Sequence, residues 1–358
     1  MDYITIIVLV FSFLAVLDRI FGSRFGLAKE FEKAFMLLGN MSLSMIGMIV
    51  LAPAIAEAIK PVSEFVSEVL KLDSSIIPAS LFANDMGGAP LAVEMAQNGK
   101  VGLYNALVVS SMMGVTVSFT IPFALGVVNK NCHNELLMGL LCGIVTVPIG
   151  CFVSGLMCSL PMGELIKNIV PLIIFSSVVA VCMFLFPDAS VRVFKVIGIF
   201  ITILISIGLY VGIYEFLTGK ALIKNIAPVQ EGLSICFNAA VVLSGAFPFI
   251  YVVSKLLQKP LKALGSKVGI NAEATLGIIS TLVTSATAFG RMDKMDKKGA
   301  VMNSAFAVSG AFSLGSHLAF TMAFDKSYIV PVVVGKIIAG ITALILAAFI
   351  YERTQKKV

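Results

Sequence analysis

The sequence contains no tryptophan and two histidines, and only 13% of its 358 residues are charged. None of the six cysteines forms a C-x-x-C pair, and all but Cys132 lie inside apolar segments. We therefore expect them to pack as small apolar side chains and not to form disulfides or metal sites. The two histidines lack the spacing of metal ligands. The sequence predicts no metal and no cofactor.

Common catalytic patterns are also missing from the sequence. It contains no H-E-x-x-H, G-x-S-x-G or P-loop motif. An aspartyl protease acting inside a membrane would need a second deep aspartate besides Asp85. The other aspartates considered lie at segment ends or in loops: Asp18, Asp73, Asp188, Asp293, Asp296 and Asp325. An intramembrane enzyme is thus the less favoured function class, and we expect the protein not to be an enzyme.

Long apolar segments fill most of the chain, which is 58% hydrophobic with a mean hydropathy of +1.01. Such a composition predicts an all-α polytopic membrane protein embedded in a lipid bilayer. Two segments, 74–97 and 271–290, are short or interrupted and predict broken, re-entrant helices. Nine segments are long enough to span: 2–22, 35–59, 101–128, 135–160, 165–187, 192–217, 231–257, 299–324 and 328–351.

The net charge of +6 lies largely in short loops beside these segments, where it indicates orientation and no nucleic-acid partner. Residues 255–267 and 291–298 each carry four Lys or Arg residues and flank segment 271–290. If that segment enters and returns, both basic loops are cytoplasmic. The basic tail after residue 352, which includes Lys356 and Lys357, is then cytoplasmic as well, and the N-terminus is outside.

The order of segments is the same in two halves of the chain. Residues 1–160 and 192–358 each contain two spans, a Pro-led amphipathic stretch, a broken segment and two further spans, and 161–191 is a linking transmembrane helix. The predicted orientation makes the two halves inverted repeats. Inverted repeats with one interrupted helix in each half are typical of secondary transporters whose site lies near the membrane midplane.

The first interruption, at residues 81–91, combines an amide, a carboxylate, two glycines and a proline. A carboxylate at a helix break inside a membrane is by default a candidate functional group. Both half-helices arrive at the midplane by their C-terminal, partially negative ends, which favours a small cation. Asp85 is therefore the leading candidate for cation binding. The alternative is that Asp85 only caps the helix that follows.

Other polar residues near the two breaks are weaker candidates for substrate binding. Each has a structural alternative, such as satisfying broken backbone, hydrogen bonding between helices, or lying at the membrane interface. Lys336 is expected to extend toward the membrane surface. The weaker candidates are Asn84, Gly87, Gly88, Glu94, Asn105, Thr284, Ser285, Asn303 and His317.

Several segments resemble the ethanolamine-utilisation permease family, EutH. The resemblance covers most of the chain and is carried by Asn84-Asp85-Met86-Gly87-Gly88 with Leu91-Ala92 and Glu94, and by segments 48–53, 118–126 and 143–151. It implies uptake of ethanolamine across the cytoplasmic membrane of a bacterium. The family does not supply an established binding site, so the assignment to Asp85 comes from the residues.

Ethanolamine suits a site of this kind, because it is a primary ammonium with a hydroxyl group two carbons away. A carboxylate with hydroxyl or amide neighbours can bind both ends. Transport of another small polar solute or ion, such as a nucleoside, is the alternative. The sequence leaves open facilitated, proton-coupled and sodium-coupled transport, and also assembly into a homo-oligomer.

Overall fold

The computed structural model describes residues 3–355, with side chains at all of these positions except 3, 4, 257–259 and 261–264. Lys356 and Lys357 lie outside the described residues. Within the described range every regular element is a helix, so the predicted all-α class is confirmed. The α-helices are α1 Tyr3–Ile20, α2 Leu27–Ala58, α3 Lys60–Glu68, α4 Ile76–Leu81, α5 Gly88–Met95, α6 Gly99–Tyr104, α7 Ile121–Val127, α8 His133–Met157, α9 Met162–Leu185, α10 Pro187–Thr218, α11 Val229–Val268, α12 Ala272–Thr281, α13 Ser285–Phe289, α14 Lys297–Ser309, α15 Ser316–Phe324 and α16 Ile329–Gln355.

Seven helical stretches in the described part of the chain are long and apolar enough to cross a membrane. Between α6 and α7 the backbone continues as π-helical turns, so Gly99–Val127 forms one such stretch, which we name the central helix. In the apolar window of the central helix 83% of the residues are buried, whereas in that of α10 only 28% are buried. α10 therefore exposes large apolar side chains. A soluble protein would not expose α10 to water, so the chain is a multi-pass membrane protein. The seven stretches are Leu27–Ala58, Gly99–Val127, Lys130–Met157, Met162–Leu185, Pro187–Thr218, Val229–Leu256 and Lys326–Gln355.

The predicted span 299–324 is interrupted in the structure. α14 ends at Ser309 and α15 begins at Ser316, with irregular backbone between them. Phe312 lies in this break with φ +62°, an uncommon angle for a residue with a side chain. The backbone N–H of Phe312 donates to Thr281, and that of Leu314 to Leu282, both at the tip of segment 271–290. This tertiary hydrogen bonding replaces the helical bonding that the sequence pattern predicts.

The helices of 187–355 follow an order similar to those of 3–157, except that a break separates α14 from α15. Each part has one helix (α1 or α10), a longer helical stretch (α2–α3 or α11), a helix–break–helix segment, a buried helix and a final long helix (α8 or α16). The amphipathic stretch that begins at Pro260 is not a separate helix, because α11 continues through it. The segment 161–191, predicted as a linking transmembrane helix, contains α9. The repeat and the inverted orientation of its two halves stay predictions.

Both broken segments are hairpins whose two ends lie together. In the first hairpin, the Asp73 carboxylate accepts hydrogen bonds from the backbone N–H groups of Gln97 and Asn98 at 3.1 and 2.9 Å. In the second, the backbone N–H of Asn271 donates to the Asp296 carboxylate at 2.7 Å. Each hairpin therefore begins and ends at the same end of the molecule.

α10 packs very closely against α2, the helix that carries one wall of the cavity described below. A Cβ atom on Gly47 would overlap the backbone of Ile205, and one on Gly208 would overlap the carbonyl of Gly47. Gly208 therefore allows the close packing of α10 against α2. This close contact holds α2 against α10 next to the first hairpin.

Candidate functional site

The first hairpin turns at its tip because the sequence there does not continue a helix. α4 ends at Leu81, two extended residues follow, and Asn84–Met86 form a single 3₁₀ turn. Gly87 then adopts φ +94°, an angle that glycine reaches without steric strain, and α5 begins at the next residue. This turn presents the side chain of Asp85 away from both limbs of the hairpin into a cavity.

The polar backbone at this tip is satisfied by the protein itself. The N–H of Ala83 donates to the Ser118 hydroxyl at 3.0 Å, and the N–H of Gly88 donates to the Ala83 carbonyl at 2.8 Å. A Cβ atom on Gly114 would overlap the carbonyl of Phe82. The tip therefore rests directly on the central helix, as irregular backbone at membrane depth requires.

The cavity in front of Asp85 has a volume of about 330 Å³ and reaches the protein surface near Asn40, whose side chain is exposed. At roughly 30 Å³ per water molecule, it has room for a small solute and several waters. One wall comes from α2, another from the central helix, and the third from the break before α15. The lining residues are Leu37, Asn40, Met41, Ser44, Met45, Asp85, Met86, Val115, Phe119, Phe312, Ser316 and His317.

Three ionisable side chains meet at the inner end of this cavity. His317 Nε2 lies 3.6 Å from an Asp85 carboxylate oxygen, and His317 Nδ1 lies 3.2 Å from Lys336 Nζ. Lys336 Nζ also donates to the backbone carbonyl of Ser111. His317 and Lys336 are fully buried, while 17% of the Asp85 side chain is exposed to the cavity. Asp85 is thus the member of this cluster that a solute can reach.

The order of the three groups determines where the imidazole proton lies. While Lys336 is an ammonium it has only donors, and Nδ1 of His317 accepts its hydrogen bond. Nε2 of a neutral imidazole then carries the proton and points it at Asp85. The carboxylate and the ammonium balance each other through His317, and the Ser316 hydroxyl lies beside the same carboxylate.

Two aromatic rings form the apolar part of the cavity. Phe119 and Phe312 meet edge to face with ring centroids 5.6 Å apart, and Phe312 lies 5.1 Å from the His317 ring. A carboxylate beside aromatic rings is a suitable environment for a small organic cation, because ring faces attract cations. The site therefore combines one carboxylate with an apolar wall.

The second hairpin supports this site without lining the cavity. Thr284 is extended and its hydroxyl caps α13 by accepting from the N–H of Ala286 at 3.3 Å. The neighbouring Ser285 is fully buried. Because the tip accepts the two backbone hydrogen bonds from Phe312 and Leu314, it holds the break that places Phe312 and His317 in the cavity wall.

The predicted site residues separate into distinct places. Asp85 and His317 line the cavity, and Gly87 and Gly88 shape the turn that presents Asp85. Glu94 lies on the exposed surface of α5, away from the cavity lining. The structure therefore gives no support for Glu94 as a second carboxylate of the site.

Asn105 and Asn303 are buried at the bases of the two hairpins, not at the cavity. The Asn105 side-chain amide donates to the Ser75 hydroxyl at 2.8 Å. The Asn303 amide donates to the backbone carbonyl of Ala274, also at 2.8 Å. Each asparagine ties the helix after a hairpin to the first limb of that hairpin, which is the hydrogen-bonding alternative considered above.

Two of the predicted site residues at the tips are buried side chains with no hydrogen-bond partner in the described part of the chain. Both amide atoms of Asn84 and the hydroxyl of Ser285 are unpaired. Unpaired buried polar groups are destabilising by about 1–3 kcal/mol each. Neither residue lines the cavity, so their place in substrate binding stays a prediction.

The expectation that Lys336 extends toward the membrane surface is wrong. The residue lies with the buried face of α16, which continues through Gly340, Ala343 and Ala347. These positions recur at helical spacing, and their small side chains mark the face that packs against other helices. That register is the sequence signal that could have placed Lys336 inside the protein.

Among the described residues, no group of three or more His, Cys, Asp or Glu side chains could hold a metal ion.

Known proteins match the chain over almost its whole length. Residues 1–350 match the family described as "Ethanolamine utilisation protein, EutH". A protein of Listeria monocytogenes serotype 1/2a (strain 10403S), named "Probable ethanolamine permease EutH", is 38% identical, with 99% of this chain and 95% of that protein covered. A protein of the same name from Escherichia coli (strain K12) is 34% identical over 98% of this chain and 96% of its own length.

A third relative, the uncharacterized protein YxeR of Bacillus subtilis (strain 168), is 34% identical over 99% of this chain and 96% of its own length. No solved structure matches the chain. The family match and the alignments with these relatives both cover the two hairpins and the residues that line the cavity. The chain belongs to the EutH family of ethanolamine utilisation proteins.

Proposed function

We propose that the protein is a secondary transporter that takes up ethanolamine as the protonated amine across the cytoplasmic membrane of a bacterium. The single observation that carries this proposal is the Asp85 carboxylate, presented by a helix break into a cavity of about 330 Å³. The names of the Listeria and Escherichia relatives support ethanolamine as the substrate. Their names also support transport, and not catalysis, as the activity.

The chemistry of the cavity suits both ends of ethanolammonium. Its ammonium group would bind the Asp85 carboxylate and lie against the rings of Phe119 and Phe312. Its hydroxyl group would reach the polar side chains on the opposite wall, Ser44 and Asn40 of α2. An amine that lacks the hydroxyl would lose the second set of contacts and bind less tightly.

The two parts of the chain would provide alternating access around this site. In the proposed topology, 1–160 and 192–358 are inverted repeats joined by the helix 161–191, with the N-terminus outside and the C-terminus cytoplasmic. Each hairpin is tied at its base to the helix that follows, so each could move with that helix as a unit. Movement of one unit against the other would open the cavity to one side of the membrane and then to the other.

Uptake of labelled ethanolamine into proteoliposomes tests the proposed function. The assay is best done at about pH 6, where almost all of the amine is protonated and little neutral amine crosses the lipid unaided. We expect saturable uptake above that of protein-free vesicles, with strong competition by 3-aminopropanol, weaker competition by ethylamine and none by ethylene glycol. Uptake equal to that of protein-free vesicles, or equal competition by ethylene glycol, would contradict the proposal.

A further inference from the structure

The ammonium group of Lys336 is fully buried in the middle of an apolar helix, where a charge needs a partner. It reaches Asp85 only through the imidazole of His317, at the distances of 3.2 and 3.6 Å given above. The carbonyl of Ser111 takes a second proton of the ammonium. Lys336 is in this sense a cation that the protein itself supplies to the carboxylate of the site.

Few other ionisable groups in the described part of the chain face this ammonium. Asp85 approaches from the hairpin tip, His317 from α15, and the buried thiol of Cys151 from α8. The next charged side chain along α16 is that of Glu352, which pairs with Lys298 of α14. Glu352 lies roughly 24 Å from Lys336 along the helix axis. The charge balance of the site therefore rests on Asp85 and Lys336.

Building on the function proposed above, we propose that binding of one substrate ammonium ion releases one proton from Lys336, so that the protein exchanges an amine cation for a proton. In the empty site the two protein charges cancel. If the substrate ammonium binds Asp85 while Lys336 is still charged, one positive charge is left without a partner in a largely desolvated site. This arrangement is strongly unfavourable. Loss of one proton from Lys336 restores neutrality, and lysine can lose its proton when buried whereas arginine cannot.

The proton has a continuous route from Lys336 to the cavity. The Lys336 ammonium gives a proton to Nδ1 of His317, while Nε2 releases its own proton toward the Asp85 carboxylate and the water of the cavity. The neutral Lys336 amine then accepts a hydrogen bond from Nδ1–H. When the substrate leaves, one proton returns by the same route. Each cycle moves one amine cation inward and one proton outward, with no net transfer of charge.

The direct test counts the protons released when ethanolammonium chloride binds to the purified wild-type protein. The measurement uses a pH-indicator dye in weakly buffered detergent solution near neutral pH, with binding measured in parallel. We expect about one proton for each amine bound. Binding without proton release would overturn the proposed exchange. Absence of ethanolamine binding would instead contradict the function proposed in the previous subsection.

A neutral amine that leaves its own proton in solution would give the same count, and Lys336→Arg separates the two explanations. Arginine keeps the positive charge and does not deprotonate, so we expect roughly 100-fold weaker binding or more, and no proton release. The matched control Lys326→Arg, at an exposed position before α16, should behave as the wild type. Wild-type affinity with one proton released by a monodisperse Lys336→Arg variant would overturn the proposal. If that variant does not fold, the wild-type proton count still tests the proposal, because binding without proton release would overturn it.

Discussion

The two hairpins share the design of their bases and differ at their tips. In the first hairpin, Asp73 precedes the first limb and Asn98 caps the helix that follows. In the second, the two residue types are exchanged: Asn271 precedes the first limb and Asp296 caps the following helix. The base of each hairpin is therefore closed by one aspartate and one asparagine, and the two residue types exchange positions between the hairpins.

The tips differ in charge and in what they contact. The first tip presents Asp85 to the cavity, whereas the second presents neutral groups and binds the break around Phe312. This difference teaches that a repeated hairpin can serve as a binding element in one half and as a support for the cavity wall in the other. The predictions below test that division of roles, starting with the largest expected effect.

Removing the charge of the first tip should have the largest effect. Asp85→Asn keeps the size of the side chain and much of its capping ability. We expect the protein to fold and to lose ethanolamine affinity by about 2–4 kcal/mol, roughly 30- to 1000-fold. Ser285→Ala, the matched change at the second tip, should weaken affinity by less than about fivefold. Equilibrium binding by purified monodisperse variants checks this. Equal losses in both variants would remove the distinction between the tips.

The bases should affect stability and not affinity. The Asp73 carboxylate accepts four hydrogen bonds, two across the hairpin base and two from Ser75, whereas the Asp296 carboxylate accepts two. We expect Asp73→Ala to destabilise the protein by about 2–3 kcal/mol and Asp296→Ala by somewhat less. Thermal unfolding in detergent measures the difference. A larger effect of Asp296→Ala would contradict the hydrogen-bond assignment.

The two base asparagines should behave alike, because each ties the helix after a hairpin to the first limb of that hairpin. Asn105→Ala and Asn303→Ala each remove a buried tie to the first limb, which we expect to destabilise the protein by about 1–2 kcal/mol. The dissociation constant for ethanolamine should change by less than about threefold in either variant. A strong loss of affinity without loss of stability would return these residues to the binding site.

The smallest effect is expected for Glu94→Gln. The side chain is exposed on α5 and does not line the cavity. A surface substitution of this kind usually changes stability by less than about 0.5 kcal/mol, and we expect unchanged uptake. Reduced ethanolamine affinity in this variant would mean that the second limb of the hairpin, and not its tip, carries the charge that binds substrate.

The sequence was sufficient to predict both broken segments, and it places Asp85 at the first of them. Gly87, Gly88 and Pro90 interrupt an apolar run, and Asp85 at that interruption is unusual enough in a membrane protein to indicate a site. His317 followed from its position inside a span. These are local signals, because a single apolar segment contains the whole pattern.

What the sequence did not predict depends on contacts between distant segments. The break after Ser309 forms because Phe312 and Leu314 bond to the second hairpin, which no local pattern indicates. Asn105 and Asn303 were predicted as candidates near the two breaks, but the partners of their hydrogen bonds lie in other segments. Lys336 lies inside the protein because it shares the small-residue face of α16, which packs against other helices.

Protection of an introduced cysteine by ethanolamine tests the central claim most directly, that the amine binds at the first tip. In a variant without native cysteines, Ser44→Cys places a thiol in the Asp85 cavity, and Ser280→Cys places one in a cavity beside the second hairpin. We expect ethanolamine to slow maleimide labelling of Ser44→Cys with a concentration dependence that matches transport, and to leave Ser280→Cys unaffected. Protection of Ser280→Cys alone would contradict the account and place the amine at the second hairpin.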